Sequence, residues 1–278
     1  MIWESAAKPR EGEVQRLRNT RNVIQLIAQE TNMDSKKRAI LYGLAIGDGH
    51  ISYRSRLKDN KYSYEQAELI IAHCEKQKPY LEYKAGLLHS IFGGKPLTIA
   101  TTKHTLKSTG KTYTGYRIAK TNPYFRQMHS VLYRQDKRKS ITGQVLSYCD
   151  EHSLALWYMD DGSIHANQNK AGETTSLSFR LFTQFLDKEE AEFVVEWLKE
   201  KYGIEAKAFL SKGKWDISGA TQATLTLVSV IQDHIHPCMM YKIIPAMKFV
   251  FRKSAKHPRF SVDDDIVQSL GKPKEVEA

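Results

Sequence analysis

Leu41 to Gly49 reads LYGLAIGDG, and Leu154 to Gly162 reads LALWYMDDG. Each is an apolar run closing on Asp-Gly, and Asp48 in the first stands where Asp161 stands in the second. Asp34 or Ser35 can cap a helix through the first stretch and Asp150 or Ser153 one through the second, with Gly49 and Gly162 ending them. Both aspartates then fall at helix C-termini. There the macrodipole already concentrates negative charge, so a carboxylate costs about 0.3–1 kcal/mol. Asp160, beside Asp161, adds to that cost. A single acid so placed is an ordinary cap or turn, but two at matching places in a repeat need a reason.

Helices this short of charge bury more than one face. Gly43 and Gly47 lie four residues apart and leave a flat strip on which another helix backbone can rest. If the two stretches face each other, a pseudo-twofold axis brings both acid-bearing ends side by side. Two close carboxylates repel unless a cation sits between them. Hard oxygen donors with few neighbours suit Mg²⁺, which keeps waters of its own and takes further ligands from phosphate. Trp157, Tyr158 and Met159 make the second helix bulkier, so the packing is not strictly symmetric.

The repetition extends beyond the motifs. After the first come ELIIAHCEKQ, strand-like, then PYLEYKAGLLHSIFG, helical, and TYTGYRIA, strand-like. After the second come SLSFRLFTQ, EAEFVVEWLKEKYG and GKWDISG in the same order. In the second helix Phe193, Trp197 and Leu198 share a face, and Gly203 stops it as Gly93 stops the first. Tyr116, Ile118, Ser130 and Val131 correspond to Trp215, Ile217, Ser229 and Val230, all 99 positions on. Each copy then reaches a lysine, in RKSITG at Lys139 and YKIIPA at Lys242. The expected class is α+β, with two αββαββα subdomains at 35–145 and 150–250. An extension at 1–34 holds the amphipathic RLRNTRNVIQLIAQE as an added helix, and a tail at 251–278 holds FSVDDDIVQSL.

The 278 residues are 41% hydrophobic and 26% charged, values of a folded protein that exclude wholesale disorder and low-complexity architectures. Lys and Arg outnumber Asp and Glu by 42 to 31, which favours a polyanionic partner. The excess is local: residues 54–140 carry 18 basic and 6 acidic side chains, against 16 and 19 in 141–278. Cys74, Cys149 and Cys238 are widely spaced without a CxxC and read as reduced thiols. The N-terminal residues lack the apolar core of a signal peptide and no stretch is long enough to span a membrane, so the expected location is intracellular. His234, His236 and Cys238 have metal-ligand types, but the HxHxC spacing favours a local structural role over a tetrahedral zinc site.

The two motifs, the repeated element order and the late lysines resemble the LAGLIDADG homing endonucleases of the single-chain, two-motif kind, over about 210 of the 278 residues. The resemblance implies subdomains packed through their motif helices, each carrying a curved antiparallel sheet that binds DNA. It implies a monomer that hydrolyses both strands of a long asymmetric target across the minor groove, leaving short 3′ extensions. The cofactor implied is Mg²⁺, with Mn²⁺ or Ca²⁺ as substitutes for binding. Asp48 and Asp161 are then catalytic acids and metal ligands, joined in the candidate metal set by the preceding residues Gly47 and Asp160. The family tolerates other residues at the place of Asp160, so the resemblance itself gives it no ligand role. Lys242 and Lys139 match the basic residues placed near the scissile phosphates.

Strands laid into the major groove would present Arg54, Arg56, Lys58, Lys61, Lys103, Lys111 and Arg117 from the first copy. From the second they would present His165, Asn167, Gln168, Asn169, Arg180, Lys212 and Lys214. The more basic first copy suits phosphate anchoring and the more polar second copy suits base reading. The alternative on this scaffold is an RNA-binding intron maturase or splicing factor, with intron RNA as partner. The presence of both aspartates favours the nuclease.

Overall fold

The computed structural model describes residues 33–58, 62–105 and 108–256. The N-terminal helix expected before residue 33, Lys61 and the tail beyond residue 256 lie outside the described residues. The first motif forms α1 (Ser35–Ile46), followed by β1 (His50–Lys58), β2 (Tyr62–Cys74), α2 (Lys78–Phe92), β3 (Ala100–Thr105), β4 (Thr112–Thr121), α3 (Tyr124–Leu132) and the short α4 (Gly143–Ser147). The second motif forms α5 (Glu151–Asp161), followed by β5 (Gly162–Gln168), β6 (Thr174–Leu181), α6 (Lys188–Tyr202), β7 (Ala206–Ser211), β8 (Lys214–Gly219), α7 (Thr221–Ile231) and α8 (Ile244–Lys256). The two four-stranded antiparallel sheets have the same topology, β1-β2-β4-β3 and β5-β6-β8-β7. The mixed architecture and the repeated sheet are those the sequence leads one to expect.

Capping residues start both motif helices. Asp34 accepts the Lys37 N–H at 2.8 Å, and Asp150 forms a reciprocal box with Ser153. Leu41 to Gly47 and Ser153 to Met159 are all buried, and α1 packs along α5. Gly43 makes that approach possible: a Cβ there would lie 2.7 Å from Ser153 Cα and 2.9 Å from its carbonyl oxygen. Gly43→Ala should therefore overpack the seam and destabilise the fold by about 1–3 kcal/mol, read as a lowered denaturant midpoint.

One cluster of buried apolar side chains runs through both copies, from Leu41 and Leu44 to Trp157, Phe179 and Ile217. The halves are also tied at the surface, where Arg134 pairs with Glu190 at 2.7 Å and Asp187 at 3.0 Å, both at the start of α6. The buried face of α6 is Glu190, Ala191, Val194 and Leu198; Phe193, grouped by spacing with Leu198, is 41% exposed. Its ring instead lies against Gly143 at the start of α4.

Each sheet has one inward and one open face, set by the two-residue pleat. In the first, Leu69, Ile71 and Ile118 point into the core, while Ala72 and its partner Arg117 are exposed. In the second, Leu177, Phe179 and Leu181 point inward, and the opposite parity carries His165, Asn167, Ser178 and Arg180.

Candidate active site at the paired helix ends

The motif helices end differently. Helix α5 continues through Asp161, with Gly162 as its cap. Helix α1 stops at Ile46, and the Gly49 N–H rather than that of Asp48 returns to the Leu44 carbonyl, at 3.0 Å. A Cβ at Gly49 would meet that carbonyl oxygen at 2.2 Å, so this tightened ending requires glycine. The Asp48 N–H, freed from the helix, donates to Asp160 Oδ2 at 2.8 Å.

Asp48 and Asp161 come to the same end of the seam from opposite copies, and each carboxyl is only partly shielded. Burial first, then the charges of Asp48 and Asp160, push the Asp161 carboxyl up to about 7, while Lys139 and Lys242 pull it back. Burial, followed by Asp160, also raises the Asp48 carboxyl, against Lys84, Lys139 and Lys242. Like charges crowded into a half-buried place are a standing electrostatic demand for a cation. Beside them lies a cleft of about 520 Å³, lined by Gly47, Asp160, Asp161, Phe182, Gln184, Phe185 and Lys214.

The two late lysines take matching places. Lys139 Nζ donates to the carbonyls of Gly47 at 2.7 Å and Ile46 at 3.2 Å, closing α1. Lys242 Nζ donates to the Asp160 carbonyl at 3.0 Å, closing α5. Each ammonium offsets the negative end of its own motif helix and stands in the field of the acids. Burial is the main cause lowering both, Lys139 to about 8, with the aspartates opposing the shift.

Two members of the expected metal set are already engaged. The Gly47 carbonyl holds Lys139. Asp160 has a fully buried side chain, with Oδ1 at 2.6 Å from Lys84 Nζ and Oδ2 on the Asp48 N–H. Asp160 therefore serves as an internal acceptor rather than a free oxygen ligand. Lys84 and His73 escaped the sequence reading. Lys84 is wholly buried, and its Nζ lies 3.0 Å from His73 Nε2 and 4.3 Å from the Tyr80 ring centre. The visible signal was a lysine on the inward stripe Tyr80, Leu81, Ala85 and Leu88, and a histidine at the inward parity of Leu69 and Ile71. Burial, then Lys84, pushes His73 down to about 4, so the ring is neutral near pH 7.

The candidate DNA contacts divide. Arg54, Arg56 and Lys58 occupy β1 positions paired with Gln66, Tyr64 and Tyr62, with side chains outside the described part. Arg117 is exposed on the open face, Lys111 is exposed just before β4, and Lys212 is exposed in the turn between β7 and β8. Lys214 is exposed and lines the cleft. His165, Asn167 and Gln168 are exposed on β5, with Asn167 donating to Ser176 at 3.0 Å.

Three positions differ from expectation. Lys103 is exposed, but it pairs with Thr114 and so shares the strand parity of Tyr116 and Ile118, opposite to Arg117. Asn169 spends its amide on the β5–β6 turn, accepting from the Ala171 and Glu173 N–H groups at 3.0 and 2.9 Å. Arg180 is bound to buried Asp216 and to Ser211, with its guanidinium over the rings of Phe182 and Phe209. That side chain is built into the sheet before any ligand arrives. His236 Nδ1 lies 3.0 Å from Cys238 Sγ, whereas His234 stacks on His152. Among the described residues the one grouping of three or more metal-ligand types is Asp48, His73 and Asp160.

Two like-folded copies packed through their motif helices, with Gly43 of α1 against Ser153 of α5 and an acid and a lysine from each at the shared end, define a two-motif nuclease scaffold. Residues 38–226 match the LAGLIDADG DNA endonuclease family, and the chain belongs to that family. It is 26% identical over 220 residues to a probable intron-encoded endonuclease 1 of Wickerhamomyces canadensis, covering 78% of this chain and 87% of the relative. It is 24% identical over 227 residues to protein RecA of Mycobacterium gastri, covering 79% of this chain. The match spans about half the length of that RecA protein. The fold resembles the homing endonuclease I-WcaI bound to its DNA recognition sequence, with a TM-score of 0.59, 23% identity and coverage of 76% of this chain and 87% of the other. These matches do not favour the maturase reading. No helix among the described residues is long and apolar enough to cross a membrane.

Proposed function

We propose that this chain is a monomeric, site-specific endonuclease that hydrolyses phosphodiester bonds in both strands of a long, asymmetric DNA target. The observation that carries the reading is the meeting of the two acid-bearing helix ends from separate copies, where the Asp48 N–H donates to Asp160 Oδ2 beside Asp161 and where Lys139 and Lys242 hold the Gly47 and Asp160 carbonyls. Each copy adds a sheet with an open face. One contributes the exposed Arg117, and the other contributes His165, Asn167 and nearby Lys214.

A divalent cation, Mg²⁺ for cleavage and Ca²⁺ or Mn²⁺ as substitutes for binding, fits the donor set. The Asp48 and Asp161 carboxylates are hard oxygens, raised first by burial and then by neighbouring carboxylates, with both lysines already committed to carbonyls. When bound, it would supply charge neutralisation at phosphorus and help for the leaving 3′ oxygen. The chain's residues do the rest. Lys139 and Lys242 hold the helix ends and present positive charge where the phosphate charge grows. The sheets fix register along the duplex, and the difference between the copies makes the target non-palindromic. The short 3′ extensions are carried over from the family resemblance.

Selection of cleaved sites from a randomised plasmid library, with Mg²⁺ and with chelator, tests this. One recurrent long site cut only with Mg²⁺ is expected; no cutting of any sequence would overturn the reading. Lys242→Met should slow cleavage of that site roughly a hundredfold while weakening binding much less. Equal losses in single-turnover rate and in Kd would reduce Lys242 to a phosphate anchor.

A further inference from the structure

We propose that Asp160 of the second copy, with Lys84 and His73 of the first, forms a buried positioning device that sets the orientation of Asp48, leaving the two acids of the site unequal. The inference rests on the reading that Asp48 and Asp161 serve cleavage.

The contacts run in one direction. Asp160 Oδ2 takes the Asp48 N–H, the group that an unbroken helix would have given to Leu44, and so holds the backbone of the acid from across the seam. Asp160 Oδ1 is held at 2.6 Å by Lys84 Nζ, and both side chains are fully buried. The Lys84 ammonium only donates, so His73 Nε2 accepts from it and the ring proton sits on Nδ1. That Nδ1 lies 3.6 Å from Asp48 Oδ2, longer than a hydrogen bond but close enough for the N–H dipole to orient the carboxylate. The ligand atoms of Asp48, His73 and Asp160 lie within 4.8 Å of one another, and Lys84 Nζ is the cation already seated against two of them.

Among the described residues nothing equivalent serves Asp161. With Gly93 and Gly203, which end the two fifteen-residue helices, taken as equivalent, Val194 stands at the place of Lys84 and Thr183 at that of His73. Val194 is buried and apolar, and Thr183 directs its hydroxyl to the Trp215 carbonyl at 2.8 Å. The place of Asp160 in the first motif is Gly47, where a Cβ would lie 2.2 Å from Asp160 Oδ2 and 2.9 Å from its Cγ. Gly47 and Asp160 are thus complementary, the missing side chain of one copy making room for the carboxylate of the other.

The test is strand-resolved, single-turnover cleavage of a duplex carrying the selected site, each strand labelled separately, in Mg²⁺. Asp160→Asn should slow one strand by about 10- to 100-fold, the scale of a small misplacement, and leave the other within about twofold, so that nicked duplex accumulates. Binding in Ca²⁺ should stay unchanged. His73→Leu should slow the same strand, and His73→Asn, whose amide can replace the Nδ1–H, should restore it. Equal slowing of both strands, or none, overturns the inference, and the His73 pair decides alone if Asp160→Asn does not fold. Failure of the parent reading looks different, because the unaltered protein would then cut nothing.

Discussion

Asp48→Asn and Asp161→Asn should each lower double-strand cleavage by more than about a hundredfold, upward of 2.7 kcal/mol of barrier, while target binding in Ca²⁺ persists. The substitution keeps the shape of the side chain and removes its charge, so it separates electrostatics from packing. Each acid sits against a lysine-closed helix end, and Lys139 and Lys242 remain to attract phosphate when one carboxylate is gone. Binding should therefore hold or tighten, since a negative group facing phosphate has been removed. A second readout needs no DNA. A divalent cation bound between the crowded carboxylates should raise Tm, by the linkage that gives about 2.7 kcal/mol at a hundred times Kd, and either substitution should blunt the rise. Undiminished cutting by both variants would remove the proposed site.

Much of this arrangement was legible in the sequence because it is repeated. The motifs, the strand and helix order and the late lysines each occur twice, and a doubled signal survives the ambiguity of any one copy. What stayed hidden is what the repeat does not share. Arg180 reads as an outward basic residue on an alternating strand; its partner Asp216 lies two strand segments later, and only the β6–β8 register brings them together. Lys103 reads as one more groove contact until its pairing with Thr114 fixes the parity. Asp160 looked like a redundant neighbour of Asp161, because nothing within its own copy shows that Gly47 of the other leaves a space for it. Contacts across the pseudo-dyad depend on the docking of two helices, which neither periodicity nor composition encodes.

Lys84→Met should destabilise the protein by about 3–5 kcal/mol, the cost of leaving a buried charge without its partner, and lower Tm by on the order of 10 °C for a chain of this size. Coulomb attraction alone does not set this magnitude, because the pair cost desolvation to form. What makes the loss large is that the Asp160 side chain is fully buried, with Lys84 Nζ at 2.6 Å. The exposed pair Lys188–Glu192, at 3.6 Å with both side chains more than half exposed, makes the contrast. Lys188→Met there should change stability by less than about 0.5 kcal/mol. Removing both buried charges, in Lys84→Met with Asp160→Asn, should recover part of the loss, because the neutral amide needs no counter-ion and its oxygen still accepts the Asp48 N–H. Denaturant unfolding of the two single variants and the double variant measures the coupling directly. Additive losses would mean that Lys84 stabilises α2 by packing alone and that Asp160 does not depend on it.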